Sequence, residues 1–392
     1  MSPVSPWIVP SLLSALLLTG WLVLPSKKGM AEEGRYATID GLRGYLAFCV
    51  FLHHSCIWFF YLREGCWKAP PSALFNLLGQ GGVAFFFMIT AFLFTARVLR
   101  ASREEMDWRR FVIARFMRLA PVYAVAIGTL FLIVAILSGG HLQVSIGSLL
   151  LRLLKWISFT AWGGGTLNGV KDTSVIVAGV TWSLPYEWCF YLSLPLMALA
   201  AGKRTSKLAM LLPLAGAVWL CTEQPDSVPF AWFLGGIAAA LLAGSGCAKA
   251  MARHPLASLL VLACLGAAVM LASDMRTLAS ILPCSVAFVL VAAGCDVFGV
   301  LRWELSRCVG ELAYSIYLLH GLLLFVTFRF VVGFENARHF SAMQHWALIA
   351  GLIAPLLLLT RFSFERIERP CMQSVDAVMA RLQGRKRDST TP

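Results

Sequence analysis

Apolar segments of roughly 18–22 residues recur along almost the whole chain, and each is long enough to cross a ~30 Å hydrocarbon layer as a helix. The alternation of apolar and polar residues that marks a membrane β-barrel is missing from these segments. With 59% hydrophobic and 14% charged residues, the chain also lacks the charged surface of a soluble protein. The sequence therefore predicts an all-α, polytopic membrane helix bundle of about 10–11 transmembrane helices.

The N-terminal segment at 7–24 lacks a basic n-region and is followed by lysines, which favours a membrane helix over a signal peptide. Ten further segments are predicted at about 38–62, 80–96, 119–137, 184–201, 208–221, 229–244, 255–273, 278–296, 310–330 and 343–361. We divide the chain into an extra helix with a basic linker (1–35), a membrane domain (36–373) and a polar basic tail (374–392).

One apolar stretch, 144–162, does not fit the alternation of crossings. It contains two basic residues and runs into three consecutive glycines. The sequence leaves three interpretations open: a re-entrant segment, a helix along the membrane interface, or a partner for a short crossing at 174–183. Because non-helical backbone at membrane depth is tolerated only within protein or beside a cavity, this stretch is a candidate cavity wall.

The net charge of +13 is explained by membrane topology better than by nucleic-acid binding. If each segment crosses once, 24 of the 33 Lys and Arg residues fall on one side of the membrane. Basic residues collect on the cytoplasmic side, so the C-terminus is predicted to be cytoplasmic and no nucleic acid is expected as a partner. The eleven cysteines occur singly, and no His cluster has metal-ligand spacing, so no metal is predicted.

Ionisable residues within membrane helices usually mark a pathway or a reaction site. At about 100° per residue, Asp40, Arg43 and His54 share one helical face, whereas His53 points about 100° away from Arg43. An imidazole there can take a proton from a hydroxyl and later return it. The alternative is that Asp40 and Arg43 form an ion pair at the helix end and that His54 only bonds a neighbouring helix.

Two further groups of polar residues each have a structural and a functional interpretation. Glu187, beside Trp182 and Tyr186, either complements a helix dipole or orients a sugar or a histidine. Arg115 and Arg118, three residues apart at a membrane boundary, are either topogenic or bind the phosphates of a cytoplasmic nucleotide-bearing donor.

A third group lies late in the chain. Tyr314, Tyr317 and His320 recur every three residues, which keeps them close to one helical face. His320 is either a packing histidine or a functional one.

Six short motifs occur in order between residues 36 and 371, at 36–54, 82–93, 111–121, 181–191, 310–320 and 367–370. Together they resemble the motifs of the acyltransferase-3 family of membrane acyltransferases. The first contains Asp-Gly-Leu-Arg-Gly followed ten residues later by His54, the position that the helical-face argument also selects. Departures from the family pattern are Ala84 for an acidic residue, Thr90-Ala91 for Ser-Gly, and Met117 for an arginine.

The resemblance implies transfer of an acyl group, usually acetyl from acetyl-CoA, to a hydroxyl of a cell-surface carbohydrate or lipid-linked sugar. The expected location is the bacterial inner membrane, with acyl-CoA as a donor substrate and no permanently bound cofactor. His54 is then the expected general base, assisted by Asp40, Arg43 and Glu187. Arg115 and Arg118 are expected to bind the donor, and the acceptor is expected near Trp182, Tyr186 and His320.

Two functions of other classes compete with this interpretation. A solute transporter would line its pathway with the same polar residues, but the chain shows no internal repeat of the kind that many transporters have. A purely structural membrane scaffold would leave the shared face of Asp40, Arg43 and His54 without a purpose.

Overall fold

The computed structural model describes residues 2–24, 36–101, 106–206, 208–223, 225–271 and 277–388. Within these ranges the chain is helical, and the single isolated bridge joins Leu167 to Val170. Five of the described helices are long and apolar enough to cross a membrane, and a sixth span results if the bent pair Val228–Leu242 and Gly246–Arg253 is counted as one. The predicted polytopic helix bundle is therefore confirmed, although several predicted crossings correspond to shorter apolar helices.

The main helices in chain order are α1 (Ile8–Val23), α2 (Ala37–Glu64), α3 (Ala73–Arg100), α4 (Trp108–Leu137), α5 (Ile146–Ile157), α6 (Ser183–Ala200), α7 (Leu211–Glu223), α8 (Val228–Leu242), α9 (Gly246–Arg253), α10 (Ala257–Leu271), α11 (Leu278–Ala292), α12 (Glu304–Glu311), α13 (Ala313–Val332) and α14 (Ala342–Leu382).

Local sequence explains where several of these helices begin and end. The Asp107 side chain accepts a hydrogen bond of 2.9 Å from the Arg110 backbone N–H and so caps the start of α4. Gly65, with a φ of 72°, ends α2 in the left-handed conformation that favours glycine. A capping box of Ser341 and Gln344 begins α14.

Helix α2 lies at the centre of the bundle and crosses α12 with the two backbones in contact. A Cβ atom at Gly310 would lie 1.8 Å from the Asp40 carbonyl oxygen, and one at Gly44 would lie 2.7 Å from the Gly310 nitrogen. The glycines of the first motif therefore permit this crossing. They also hold Arg43, which lies between them in sequence, in a fixed position in the bundle.

The bundle has two ends, which we call the basic face and the opposite face. At the basic face α2 begins, α3 ends and α4 begins; Arg100 and Lys249 line one surface cavity there together with Ala37. Lys203 Nζ also reaches this end, 2.6 Å from the Ala101 carbonyl oxygen. At the opposite face α2 and α4 end. Of the 24 Lys and Arg residues that the sequence predicts on one side of the membrane, five lie outside the described residues: Lys27, Lys28, Arg35, Arg103 and Lys207.

The stretch at 144–162 forms α5, whose 12 residues span only about 18 Å and cannot cross the membrane. It buries Trp156 and exposes apolar side chains that include Leu150, Leu151 and Leu154, as does a helix lying along an interface.

The alternative of a short crossing at 174–183 is wrong. Residues 173–182 form two 3₁₀ turns that pack against α13 inside the bundle. A Cβ atom at Gly321 of α13 would lie only 2.4 Å from the Val177 carbonyl carbon. This segment is apolar because protein surrounds it, and such burial is the condition under which non-helical backbone is tolerated at membrane depth.

Both ends of the chain pack on the bundle. The carbonyl oxygens of Pro3 and Val23, at the two ends of α1, accept hydrogen bonds from Trp346 Nε1 (3.0 Å) and Arg361 Nη1 (3.1 Å). The tail continues as a helix, Val375–Asp388, and Asp376 forms an ion pair of 2.6 Å with Arg110 of α4.

Candidate active site

A cavity of about 410 Å³ lies inside the bundle between α2, α3, α4, α6 and α13. Three of its lining residues are the arginines that the sequence analysis singled out, so we call it the arginine cavity. Its polar lining residues are Arg43, Thr90, Arg115, Arg118, Ser183, Glu187, Tyr191, Glu311, Tyr314 and Tyr317.

The arginines of the cavity differ in how they are held. Arg118 forms an ion pair with the fully buried Glu368, and its Nη1 lies 2.9 Å from the Met372 sulfur. The Arg115 guanidinium carbon stands 5.0 Å from the centroid of the Phe94 ring. The buried Nε of Arg115 has no hydrogen-bond partner among the residues that the structure describes. Arg115 therefore keeps one buried donor without a partner in the described part of the chain.

Glu187 also faces the arginine cavity. Its carboxylate accepts a hydrogen bond from the Tyr191 hydroxyl and another, at 3.5 Å, from Thr90 Oγ1. The carboxylate thus shares a cavity with Arg43 and Arg115.

His54 forms a pair with His320, which lies 266 residues later in the chain. His54 Nδ1 and His320 Nε2 are 2.9 Å apart, and His320 Nδ1 lies 2.9 Å from the Ile316 carbonyl oxygen. Because a carbonyl only accepts, a neutral His320 must carry its proton on Nδ1 and accept at Nε2. His54 then donates from Nδ1, and its Nε2 keeps a lone pair that can take a proton.

Two other rings contact His54. Trp67, from the loop after α2, stacks on His54 with an interplanar angle of 12° and a centroid distance of 6.1 Å. His53 lies 5.1 Å from His54 between ring centroids, and its Nδ1 is 2.8 Å from the Phe75 carbonyl oxygen. His53 is thus tied to the start of α3, whereas His54 points to α13.

Tyr317 connects the arginine cavity to the histidine pair. It lines the cavity and precedes His320 by one helical turn, with 6.4 Å between the ring centroids. Its hydroxyl donates to the Val180 carbonyl oxygen (2.9 Å) and lies 2.8 Å from Ser183 Oγ. The end of the cavity that Tyr317 lines therefore lies one helical turn of α13 away from His320, next to the 173–182 segment.

Five predicted site residues do not line this cavity: the histidine pair described above, His54 and His320, and also Asp40, Tyr186 and Trp182. The cations that interact electrostatically with the Asp40 carboxylate are Arg43 and Arg307. Asp40 therefore lies beside Arg43 in the first turn of α2. Tyr186 packs in an aromatic cluster, with ring centroids 5.7 Å from Trp219. Trp182 is half exposed and contacts Phe87 and Tyr186 edge to face.

The sequence analysis assigned no role to two acidic residues of the site. Glu311 lines the arginine cavity, and Glu368 is the buried partner of Arg118. A carboxylate inside an apolar segment is a signal that sequence reasoning can use, since such groups are costly in a membrane. Glu311 lies at the edge of the predicted segment 310–330 and Glu368 lies beyond the predicted segment 343–361, so that signal is weak for both.

Comparison with known proteins gives one match. A family model described as an acyltransferase domain matches residues 36–360, which begin just before α2 and exclude α1. No curated protein and no solved structure matches the chain. The matched region contains His54, His320 and the three arginines of the cavity, and it covers most of the chain. The chain therefore belongs to the acyltransferase-3 family of membrane acyltransferases.

Proposed function

We propose that the protein transfers an acetyl group from acetyl-CoA to a hydroxyl of a cell-surface carbohydrate or lipid-linked sugar. The observation that carries this proposal is the His54–His320 pair, which Tyr317 connects to an arginine-lined cavity. We assign the basic face and the C-terminus to the cytoplasm of a bacterial inner membrane, because the cytoplasmic side collects basic residues.

The donor would enter the arginine cavity from the basic face. Arg115 offers an unsatisfied donor, and Arg97 and Arg110 lie close enough to add positive potential near it. Guanidinium groups suit phosphates because they form charge-assisted, bidentate hydrogen bonds. Arg118 is bound by Glu368, so its main contribution would be to keep the cavity wall in place while adding charge.

The transfer step follows from the tautomer of His54. Nε2 of His54 takes the proton of the acceptor hydroxyl as its oxygen attacks the thioester carbonyl carbon. The C–S bond then breaks, the ester forms, and the departing CoA thiolate takes the proton from His54. His320 holds the Nδ1–H of His54 throughout, which keeps Nε2 directed to the reaction.

The remaining predicted residues take supporting roles in this scheme. Asp40 and Arg43 would hold the first turns of α2 in position. Glu187 would position Arg43 and Arg115 on the donor side, in place of the acceptor-side role predicted from sequence, because it faces the arginine cavity. Tyr317 would bound the space in which the acetyl group lies.

The central test replaces the base. Purified protein in lipid nanodiscs would be given radiolabelled acetyl-CoA and envelope polysaccharide from cells that lack the gene. The variant His54→Ala should transfer label about 10²–10⁴-fold more slowly, since a positioned base contributes that much. His53→Ala, matched for the loss of a neighbouring imidazole, should retain most of the activity. Normal transfer by His54→Ala would refute the mechanism.

The same experiment separates the proposal from a transporter. A transporter would move solute across a sealed vesicle without releasing CoA. Release of CoA that depends on His54 and on added polysaccharide supports the transferase. Solute flux with no CoA release would favour the transporter instead.

A further inference from the structure

A second cavity, of about 510 Å³, lies at the opposite face, where α2, α4 and α13 end. We call it the loop cavity because the loop at 167–172 forms one wall. The geometry points to the loop cavity as the acceptor site, and we propose that it binds a carbohydrate. This inference rests on the proposed function. The residues that carry it are Tyr61, Gln143, Lys171, Asp172, Arg329 and Phe334.

The lining combines aromatic rings with polar groups that are free to bind. Tyr61, Phe325 and Phe334 supply the rings, and the Arg329 guanidinium stands 5.2 Å from the Phe334 centroid. In the described part of the chain, the exposed side chains of Lys171 and Asp172 make no hydrogen bond or ion pair with one another or with other residues.

This combination matches the chemistry of a sugar. A sugar ring has an apolar face of C–H groups, which packs on aromatic rings, and a rim of hydroxyls that both donate and accept hydrogen bonds. A carboxylate accepts from hydroxyls, whereas an ammonium and a guanidinium donate to them. A purely anionic ligand would use the cations and be repelled by Asp172, so a hydroxyl-rich ligand fits the set better.

The loop that carries Lys171 and Asp172 is held rigidly. Asn168 is buried, and its Nδ2 donates to Ser138 Oγ (3.0 Å) and to the His141 carbonyl oxygen (2.9 Å). Asn168 and Asp172 have φ values of 43° and 52°, a conformation that non-glycine residues adopt rarely. Such conformations persist where surrounding contacts enforce them, and a preorganised loop binds without an ordering cost.

Two ring contacts join the loop cavity to the histidine pair. Tyr61, which lines the cavity, has its centroid 5.4 Å from that of Trp67, and Trp67 stacks on His54. An acceptor in the loop cavity would therefore approach His54 from the side opposite to the arginine cavity. Trp67 lies between the two, and its displacement would admit the reacting hydroxyl.

The test measures acceptor and donor kinetics separately. Nanodisc protein would be titrated with polysaccharide isolated from cells lacking the gene, at saturating labelled acetyl-CoA. Asp172→Asn, Lys171→Ala and Arg329→Gln should each raise the KM for polysaccharide about tenfold, the loss of one charge-assisted hydrogen bond of ~1.4 kcal/mol. The KM for acetyl-CoA and the acceptor-independent release of CoA should not change.

Matched controls exist on the same face. Glu335→Gln, Lys68→Ala and Arg338→Gln remove the same kinds of charge from exposed positions outside the lining, and they should leave the KM for polysaccharide unchanged. The inference is overturned if the three cavity variants stay within twofold of wild type. It is also overturned if the controls raise this KM as much as the cavity variants do.

A binding measurement separates this inference from the proposed function. Cys66, beside Trp67, is exposed, and so is Cys247 on the basic face. The polysaccharide should slow maleimide labelling of Cys66 and not of Cys247, and Asp172→Asn should weaken that protection. Protection without any acetyl transfer would refute the proposed reaction and keep the carbohydrate site. Transfer without protection, combined with unchanged KM values, would refute the site alone.

Discussion

At the scale of single residues, the proposed mechanism assigns the reacting group and the residue that orients it to different histidines. His54 is only partly buried and carries the free Nε2, whereas His320 is fully buried and anchored to the Ile316 carbonyl oxygen. A buried imidazole with both nitrogens engaged cannot exchange protons with substrate. In the proposed mechanism His320 is therefore a positioning residue, whose effect on the reaction passes through His54.

Replacing His320 should reduce turnover without weakening donor binding. In His320→Ala, His54 loses the ring nitrogen to which its Nδ1–H donates, and kcat should fall about 10²-fold at an unchanged KM for acetyl-CoA. In His320→Gln, the amide oxygen can accept from His54 Nδ1–H, so part of the activity should return. The comparison uses steady-state rates of the two variants at equal melting temperature. Equal loss in both variants would indicate packing alone.

The ion pair of Arg118 and Glu368 yields a prediction about stability. Glu368 is fully buried and Arg118 is nearly so, so Glu368→Ala leaves a buried charge and should lower the free energy of unfolding by about 3–5 kcal/mol. The double variant Arg118→Met/Glu368→Met should recover much of this loss. Thermal unfolding in detergent measures both. As a reference, Lys68→Ala breaks the exposed pair with Glu64 and should leave the melting temperature almost unchanged.

At the scale of elements, the crossing of α2 and α12 depends on glycine. The Cβ of Gly310→Ala would lie 1.8 Å from the Asp40 carbonyl oxygen, which belongs to backbone and cannot move aside. Separating the helices should cost more than the roughly 1–3 kcal/mol typical of overpacking. We expect a lower melting temperature and a low yield of folded protein.

Gly128→Ala is the matched control for this crossing. Gly128 lies in α4, and a Cβ atom there would meet nothing within 4 Å. Alanine also favours a helix more than glycine does. The melting temperature of Gly128→Ala should therefore equal or exceed that of the wild type. Similar destabilisation by the two substitutions would show that the close crossing is not what Gly310 provides.

At the scale of the whole molecule, the two cavities lie toward different ends of the bundle. The arginine cavity reaches the histidine pair through Tyr317, and the loop cavity reaches it through Trp67. A donor and an acceptor could thus meet at His54 without crossing the membrane themselves. This arrangement requires that the basic face and the opposite face lie on different sides of the bilayer.

Native cysteines test that orientation. Cys66 follows α2 at the opposite face, and Cys247 lies in α9 near Lys249 at the basic face; both are exposed. In intact cells with a permeabilised outer envelope, an impermeant maleimide should label Cys66 and spare Cys247. Lysis should expose both, and Cys66→Ser and Cys247→Ser identify the labelled sites. Labelling of Cys247 before lysis would reverse the proposed orientation.

Hydropathy and helical periodicity were enough to predict the polytopic bundle and to prefer His54 over His53. Both conclusions depend on the chain's own helices, because segment length and the 100° step are local properties. The ordered motifs likewise indicated the family that the match to residues 36–360 confirmed. Roles proposed for the individual site residues stay predictions.

Helical periodicity shows which residues share one face of a helix, but it does not show which other part of the chain that face contacts. The pairing of His54 with His320 joins residues 266 apart, and the apolar segment at 173–182 has the composition of a crossing although it forms two 3₁₀ turns packed against α13. An apolar side chain is equally stable against lipid and against protein. Composition therefore does not distinguish a segment that crosses the membrane from one that is buried inside the protein. Packing between distant helices determined both the His54–His320 pairing and the place of the 173–182 segment. The same packing determined the position of the two cavities on either side of His54.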